Sequence, residues 1–259
     1  MNGLEDVGEL RCALEQRGFT SVLHVTGTLD VGTSPFLRSA FLRCLADEPE
    51  LIVLDLAAMR LSDDVVLNVF PALARHAAAW PGSPVAIAAA APTVATALDR
   101  MAVCRYVPLY PSANAAIAQV ASSEGASDAR RRLSAQLEPS LAATAAARRV
   151  VDRACHTWDV PELNDIAQLI VTELVSNVIR HARTTMEVSV ALRQRCLHLS
   201  VRDGSFEQPR PGGTPNVSLR EEGRGLLVIE ALTAGWGSTP TADGKVVWAT
   251  LRAPANGMH

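Results

Sequence analysis

The run ASSEGASDARRR, residues 121–132, constrains the fold more than any other stretch of the chain. It holds only small, polar and charged side chains around Gly125, so it has no face to bury and reads as a connector. The chain then divides into domains at 1–120 and 132–259 with a linker at 121–131, and each half has an ordinary domain length. Hydrophobic residues are 48% and charged residues 20%, enough apolar material for a core in each half. No internal repeat relates the halves.

In the first half, TSVLHVTGTL (20–29) and LIVLDL (51–56) are short, β-branched runs bounded by polar residues or glycine, which predicts strands. Residues 9–16 pair with the first of these through an Arg17-Gly18 turn. Helical spacing follows at Pro35–Leu45, with Phe36, Leu37, Ala40, Phe41 and Cys44 on one face, and again at Val65–Ala79. A third apolar run, Val85 to Ala88, precedes a helix at 93–102. Strands alternating with helices predict an α/β domain.

In the second half a strand near 132–138 leads into a helix at Ser140–Trp158, with Leu141, Ala145, Val151 and Ala154 facing the core. A longer helix spans Pro161–Ala182. Two alternating strands, Thr185–Leu192 and Leu197–Val201, form a hairpin about a Gln194-Arg195 turn. A helix at 224–233 and a last strand at Lys245–Leu251, entered through Asp243-Gly244, complete an α/β sandwich. Its sheet is mixed or antiparallel, with the helices on one face.

A net charge of −3 argues against direct binding to nucleic acid, which needs concentrated Lys and Arg. The one dense basic run, Arg130-Arg131-Arg132, is short and lies in the connector. Cys12, Cys44, Cys104, Cys155 and Cys196 form no CxxC pair and fit reduced core thiols of a cytosolic protein. The N-terminal MNGLEDVGELR is acidic where a signal peptide is basic and then apolar. Val85–Ala91 is too short to span a bilayer, so no membrane contact is expected.

Three segments carry candidate chemistry. On the helix 161–182, Ile166, Ile170, Leu174 and Val178 recur every four residues as a buried ridge, with Glu173, Asn177 and His181 one position to the side. That polar stripe either faces water or meets a metal or phosphate that satisfies it. Asp203, after the apolar Val201, ends a strand and opens Asp203-Gly204, which is either a plain turn or a carboxylate held at the sheet edge. Glu222-Gly223-Arg224-Gly225 enters a helix, where glycines and the helix N-terminus suit phosphate, though an ordinary helix-entry loop also fits. No GK[ST] follows, and no strand leads directly into it, so it is neither a Walker loop nor a dinucleotide fingerprint.

Order and context join these segments. GTLDVGTSPFLR (27–38) and IVLDLAAMRLSDDVVLNV (52–69) resemble the STAS domain of anti-sigma-factor antagonists over residues 9–120. That family's phosphoacceptor serine aligns with Val65 in Asp63-Asp64-Val65-Val66, and Ser62 lies three positions early. ELVSNVIRHA (173–182), VRDGS (201–205), GRGLLVIEAL (223–232) and GKVVWATL (244–251), with AAARRVVDRACHTW (145–158) before them, resemble the Bergerat-type histidine-kinase-like ATPase fold. Within it, the anti-sigma-factor serine kinase branch is the nearest in pattern.

The resemblance implies ATP and Mg²⁺ as cofactors. By it, Asn177 ligates Mg²⁺, Asp203 with Gly204 binds adenine, and Gly223, Arg224 and Gly225 close on the phosphates. Glu173 is the implied general base toward a serine hydroxyl. Arg148 matches an arginine that grips protein partners, and a solvated helix face is its other reading. The wider superfamily reads DxGxG, whereas Asp203 here precedes Gly204-Ser205-Phe206-Glu207, and the Pro- and Gly-rich 208–220 is expected to be a mobile lid. No phosphoacceptor histidine helix precedes this fold, which argues against histidine kinase activity. The implied partners are a STAS-type antagonist, a sigma factor and the chain's own STAS domain in cis, and a homodimer is compatible with the family. Two functions stand: a serine/threonine protein kinase in a partner switch, or a binding module for which ATP is a structural ligand.

Overall fold

A computed structural model of the chain describes residues 5–7, 10–122, 131–193, 195–209 and 224–253. It forms two compact units, Met1–Ala126 and Ser127–His259.

The first unit is built in the order β1 (Glu5–Val7), β2 (Leu10–Arg17), β3 (Thr20–Leu29), α1 (Ser34–Ala46), β4 (Leu51–Leu61), α2 (Val69–Ala79), β5 (Val85–Ala88), α3 (Pro92–Arg100), β6 (Leu109–Tyr110) and α4 (Ala113–Ser122). Its sheet runs β1-β2-β3-β4-β5-β6. The first three strands are antiparallel, and β2 turns into β3 through Gly18, whose φ of +62 suits glycine. From β3 onward the pairs are parallel and need helical crossovers. The fourth strand outruns the apolar run 51–56, because pairing with β3 resumes at Thr26–Ala58 after a bulge. The expected helix from Val65 splits into a 3₁₀ turn, Asp64–Asn68, and α2. Asp63 caps the start of the turn: its carboxylate accepts from the Val65 N–H at 2.9 Å. Phe36 is half-buried, and Leu45 and Ala46 complete the buried face of α1.

The second unit follows as β7 (Arg132–Leu137), α5 (Leu141–Thr157), α6 (Asn164–Asn177), β8 (Met186–Arg193), β9 (Cys196–Asp203), α7 (Arg224–Leu232), β10 (Gly235–Pro240) and β11 (Lys245–Arg252). Its sheet, β10-β11-β9-β8-β7, is antiparallel throughout. Met186, Val188, Val190 and Leu192 share a core with Leu197, Leu199 and Val201 and with the helices. Fully burying one such side chain is worth about 1.5–3 kcal/mol. Two helix faces differ from expectation. On α5 the buried positions are Ala143, Ala147, Val151, Ala154 and Cys155, while Leu141 is 90% exposed and Ala145 also faces solvent. On α6 the buried set is Ala167, Ile170, Val171, Leu174 and Val175, and Ile166 lies at its rim.

The other face of this sheet carries Ser189, His198, Ser200 and Thr250, all buried. His198 Nδ1 lies 3.1 Å from Thr250 Oγ1. Burial, helped by the Arg193 charge, pushes the His198 imidazole down to about 3. All five cysteines are free thiols; Cys12, Cys44 and Cys155 are buried, and Cys104 and Cys196 half-buried. Burial pushes Cys44 up to about 12 and Cys155 to about 11, so neither ionises near neutral pH. Among the described residues no helix is long and apolar enough to cross a membrane.

Candidate functional site

The last inward position of β9 is Asp203, following Leu197, Leu199 and Val201 on the helix-covered face. Its cross-strand neighbours are Met186 on β8 and Lys245 on β11. Lys245 Nζ donates to Asp203 Oδ1 at 2.8 Å, with side-chain exposures of 8% and 1%. The Ser205 N–H donates to the same Oδ1 at 2.8 Å, and Lys245 Nζ reaches the Ser205 carbonyl at 3.2 Å. Removing either partner of such a buried pair typically costs about 3–5 kcal/mol, because a lone charge stays behind. The turn is clasped from both sides. Thr184 Oγ1 accepts from the Gly204 N–H at 3.0 Å, and Gly244 packs so closely that a Cβ there would collide with the Asp203 carbonyl oxygen. Asp203 is therefore more than a residue leaving a strand: its carboxylate is buried, and its Oδ2 accepts no hydrogen bond among the described residues.

Glu173 and Asn177 lie one turn apart near the end of α6, both half-buried. His181 does not continue their stripe. Residues Val178–Ala182 form a π turn, wider than an α turn, and His181 is exposed. Asn177 makes no capping hydrogen bond with that turn, so its amide is not used there. The Glu173 carboxylate is 3.9 Å from Arg180 and packs against Gly225 in the first turn of α7. A Cβ at Gly225 would overlap Glu173 Oε2 and come within 3.2 Å of its Cδ. The acid of α6 is thus brought against a helix N-terminus whose second residue, as glycine, lets the carboxylate lie there.

Gly223 and nearly all of 208–220 lie outside the described residues; Arg224 opens α7, and its side chain lies outside them too. Arg148 is exposed on α5, where its Nε donates to Gln168 Oε1 on α6 at 2.9 Å. Thr184 and Lys245 were not among the residues singled out from the sequence. A signal for Lys245 existed: it is the one lysine among 24 Lys and Arg residues, and it stands in alternation with the apolar Val247, Ala249 and Leu251.

The arrangement suits a purine nucleotide with Mg²⁺. Asp203 offers a buried acceptor for a base, and the first turn of α7, against which Glu173 packs, offers a helix N-terminus that favours phosphate. No group of three or more His, Cys, Asp or Glu able to hold a metal occurs among the described residues. A cation at Asn177 would therefore take its remaining ligands from phosphate and water.

In the first unit the turn after β4 presents Val65, 62% exposed, at the position where the STAS phosphoacceptor is expected. Asp63 caps this residue and Asp64 pairs with Arg100. The Ser62 hydroxyl donates to the Leu29 carbonyl at 3.3 Å.

Comparison with known proteins agrees with both halves. Residues 137–251 match the family described as histidine kinase-like ATPase domain, and residues 11–116 match the STAS domain. No curated protein matches the sequence. Among solved structures, an anti-sigma factor antagonist from Mycobacterium paratuberculosis is 26% identical, with 43% of this chain and 93% of that chain covered and a TM-score of 0.39. The anti-sigma factor antagonist SpoIIAA in its unphosphorylated form is 17% identical, with 43% and 97% covered and a TM-score of 0.37. The chain thus carries a STAS domain in its first half and a histidine kinase-like ATPase domain, with the ATP binding which that family implies, in its second.

Proposed function

We propose that the second domain is a serine/threonine protein kinase of the anti-sigma-factor type, acting on a STAS-type antagonist in a cytoplasmic partner switch. The observation that carries this reading is the Glu173 carboxylate packed against Gly225, one helical turn from Asn177. A carboxylate at that place can take the proton from an attacking serine hydroxyl as its oxygen bonds to the γ-phosphorus and the bond to the β-phosphate oxygen breaks, releasing ADP. Asn177 would hold Mg²⁺, which neutralises charge on the phosphate oxygens. Asp203 would accept the adenine amino group, and the first turn of α7 would face the phosphates. Arg148, on the exposed side of α5, is the candidate grip for the protein partner, either an antagonist or a sigma factor.

A second reading is supported by Val65. A kinase fused to a STAS domain that has no hydroxyl at the acceptor position can hold that domain as a regulator in cis, with ATP setting partner affinity and no transfer. Incubation with radiolabelled ATP and a panel of serine-bearing STAS proteins separates the two. Label on a partner serine, lost in Glu173→Gln, supports the kinase. ATP-dependent partner binding with no label on any of them supports the binding module.

A further inference from the structure

We propose that Lys245 is a base-specificity residue: with Asp203 it forms an acceptor–donor pair that reads the 6-amino group and the ring nitrogen N1 of adenine together. The inference deepens the nucleotide-site reading given above and rests on it.

The argument begins with valences. The Lys245 ammonium has three N–H groups. One goes to Asp203 Oδ1 at 2.8 Å and one to the Ser205 carbonyl at 3.2 Å. The third has no acceptor among the described residues. Asp203 is complementary: Oδ1 takes both the lysine and the Ser205 N–H, and Oδ2 takes neither. The pair therefore has one acceptor oxygen and one N–H left over at the end of β9. Its position is rigid, since Asp203 and Lys245 are cross-strand neighbours and Gly244 packs on the Asp203 backbone.

Adenine presents the matching order, an amino donor at C6 beside an acceptor at N1. Guanine presents the reverse, a carbonyl oxygen at C6 beside an N1–H, so both contacts would become repulsive. The composition adds weight. The chain meets its other 23 basic positions with arginine and uses its single lysine here. A buried ion pair gains little stability over apolar packing, so a polar role is a reason to retain it.

The test uses the full chain, ATP, 1-deaza-ATP (N1 replaced by CH) and purine riboside triphosphate (no 6-amino group), titrated calorimetrically with MgCl₂. A hydrogen bond from a charged donor makes ATP bind about tenfold or more tightly than 1-deaza-ATP. In Lys245→Met, ATP is expected to fall to the 1-deaza-ATP level while the penalty for losing the amino group persists. Equal wild-type affinity for ATP and 1-deaza-ATP would overturn the proposal, as would a Lys245→Met variant that keeps the wild-type preference. A second readout needs no variant. In protein grown on [ζ-¹⁵N]lysine the lone ammonium gives one resonance, which is expected to move with ATP and to stay near its free position with 1-deaza-ATP. The same movement with both ligands would also overturn it. Absence of any ATP binding by wild type would instead remove the nucleotide site on which the inference stands.

Discussion

Replacing Gly225 by alanine should separate the chemistry of the site from the stability of the fold. The added methyl would overlap Glu173 Oε2 and lie 3.2 Å from Glu173 Cδ and 3.6 Å from its Cβ. The overlapping atom is the far end of a flexible side chain, so the carboxylate can rotate away without moving backbone. What it gives up is a 3.9 Å approach to Arg180 at a half-exposed position, worth about 0–1 kcal/mol. Against that, alanine in a helix is favoured over glycine by about 0.5–1 kcal/mol. The two nearly cancel, so Tm should stay within about 4 °C of wild type. Transfer depends on where that carboxylate sits, and losing a positioned base costs about 10²–10⁴ in rate. Single-turnover transfer to a partner STAS serine at saturating ATP, beside a thermal melt, makes the comparison. Glu173→Gln combined with Gly225→Ala should be no slower than Glu173→Gln alone, since both remove one function. A Gly225→Ala rate within threefold of wild type, or a folded state lost outright, would refute the reasoning.

Asn177→Ala should weaken ATP binding in the presence of Mg²⁺ far more than in EDTA, and equal losses in the two titrations would remove the residue from the metal site. Glu173→Gln should leave ATP affinity within about threefold while transfer falls at least about 100-fold; a parallel fall in both would make Glu173 a binding residue. The His198 imidazole, held near 3 against an ordinary 6.5, binds a proton in the unfolded chain across that interval and none in the folded one. Stability should therefore fall as pH drops below about 6.5, by up to about 1.4 kcal/mol per pH unit, and His198→Gln should flatten the slope in denaturant titrations. After incubation with Mg·ATP the wild-type chain should carry no phosphate across 62–65, while Asp64→Ser combined with Val65→Ser creates a site; phosphopeptide mass spectrometry finding stoichiometric phosphate at Ser62 would show that the acceptor has moved.

Much of the fold could be read from alternation and turns: in Leu197, Leu199 and Val201 the period of two is clean, and with the hairpin read at Gln194-Arg195 it gives the antiparallel pairing of β8 and β9. The face of α5 could not. LAATAAARRVVDRACHT has alanine on every side, so a stripe through 141 and 145 looks no worse than the buried one through 143 and 147. On α6 two apolar stripes run side by side, and only packing decides that 167, 171 and 175 lie inside and Ile166 at the rim. The spacing of Glu173 and Asn177 placed the two residues one turn apart on α6, as the structure has them, because an i, i+4 relation is local. His181 failed because the π turn changes the period just past Asn177. Lys245 and Thr184 act on the Asp203 turn across 42 and 20 residues, a juxtaposition created by strand register and invisible to local spacing.

The burial of the cysteines turns the native chain into its own labelled reagent. Cys12, Cys44 and Cys155 are shielded, which leaves Cys104 in the first unit and Cys196 in the second as the half-exposed thiols. A maleimide dye mixture applied to the folded protein therefore reports from one position in each half, with no cysteine introduced or removed. Energy transfer between the two then tests whether nucleotide or a partner protein alters the separation of the halves, in the sequence as it stands.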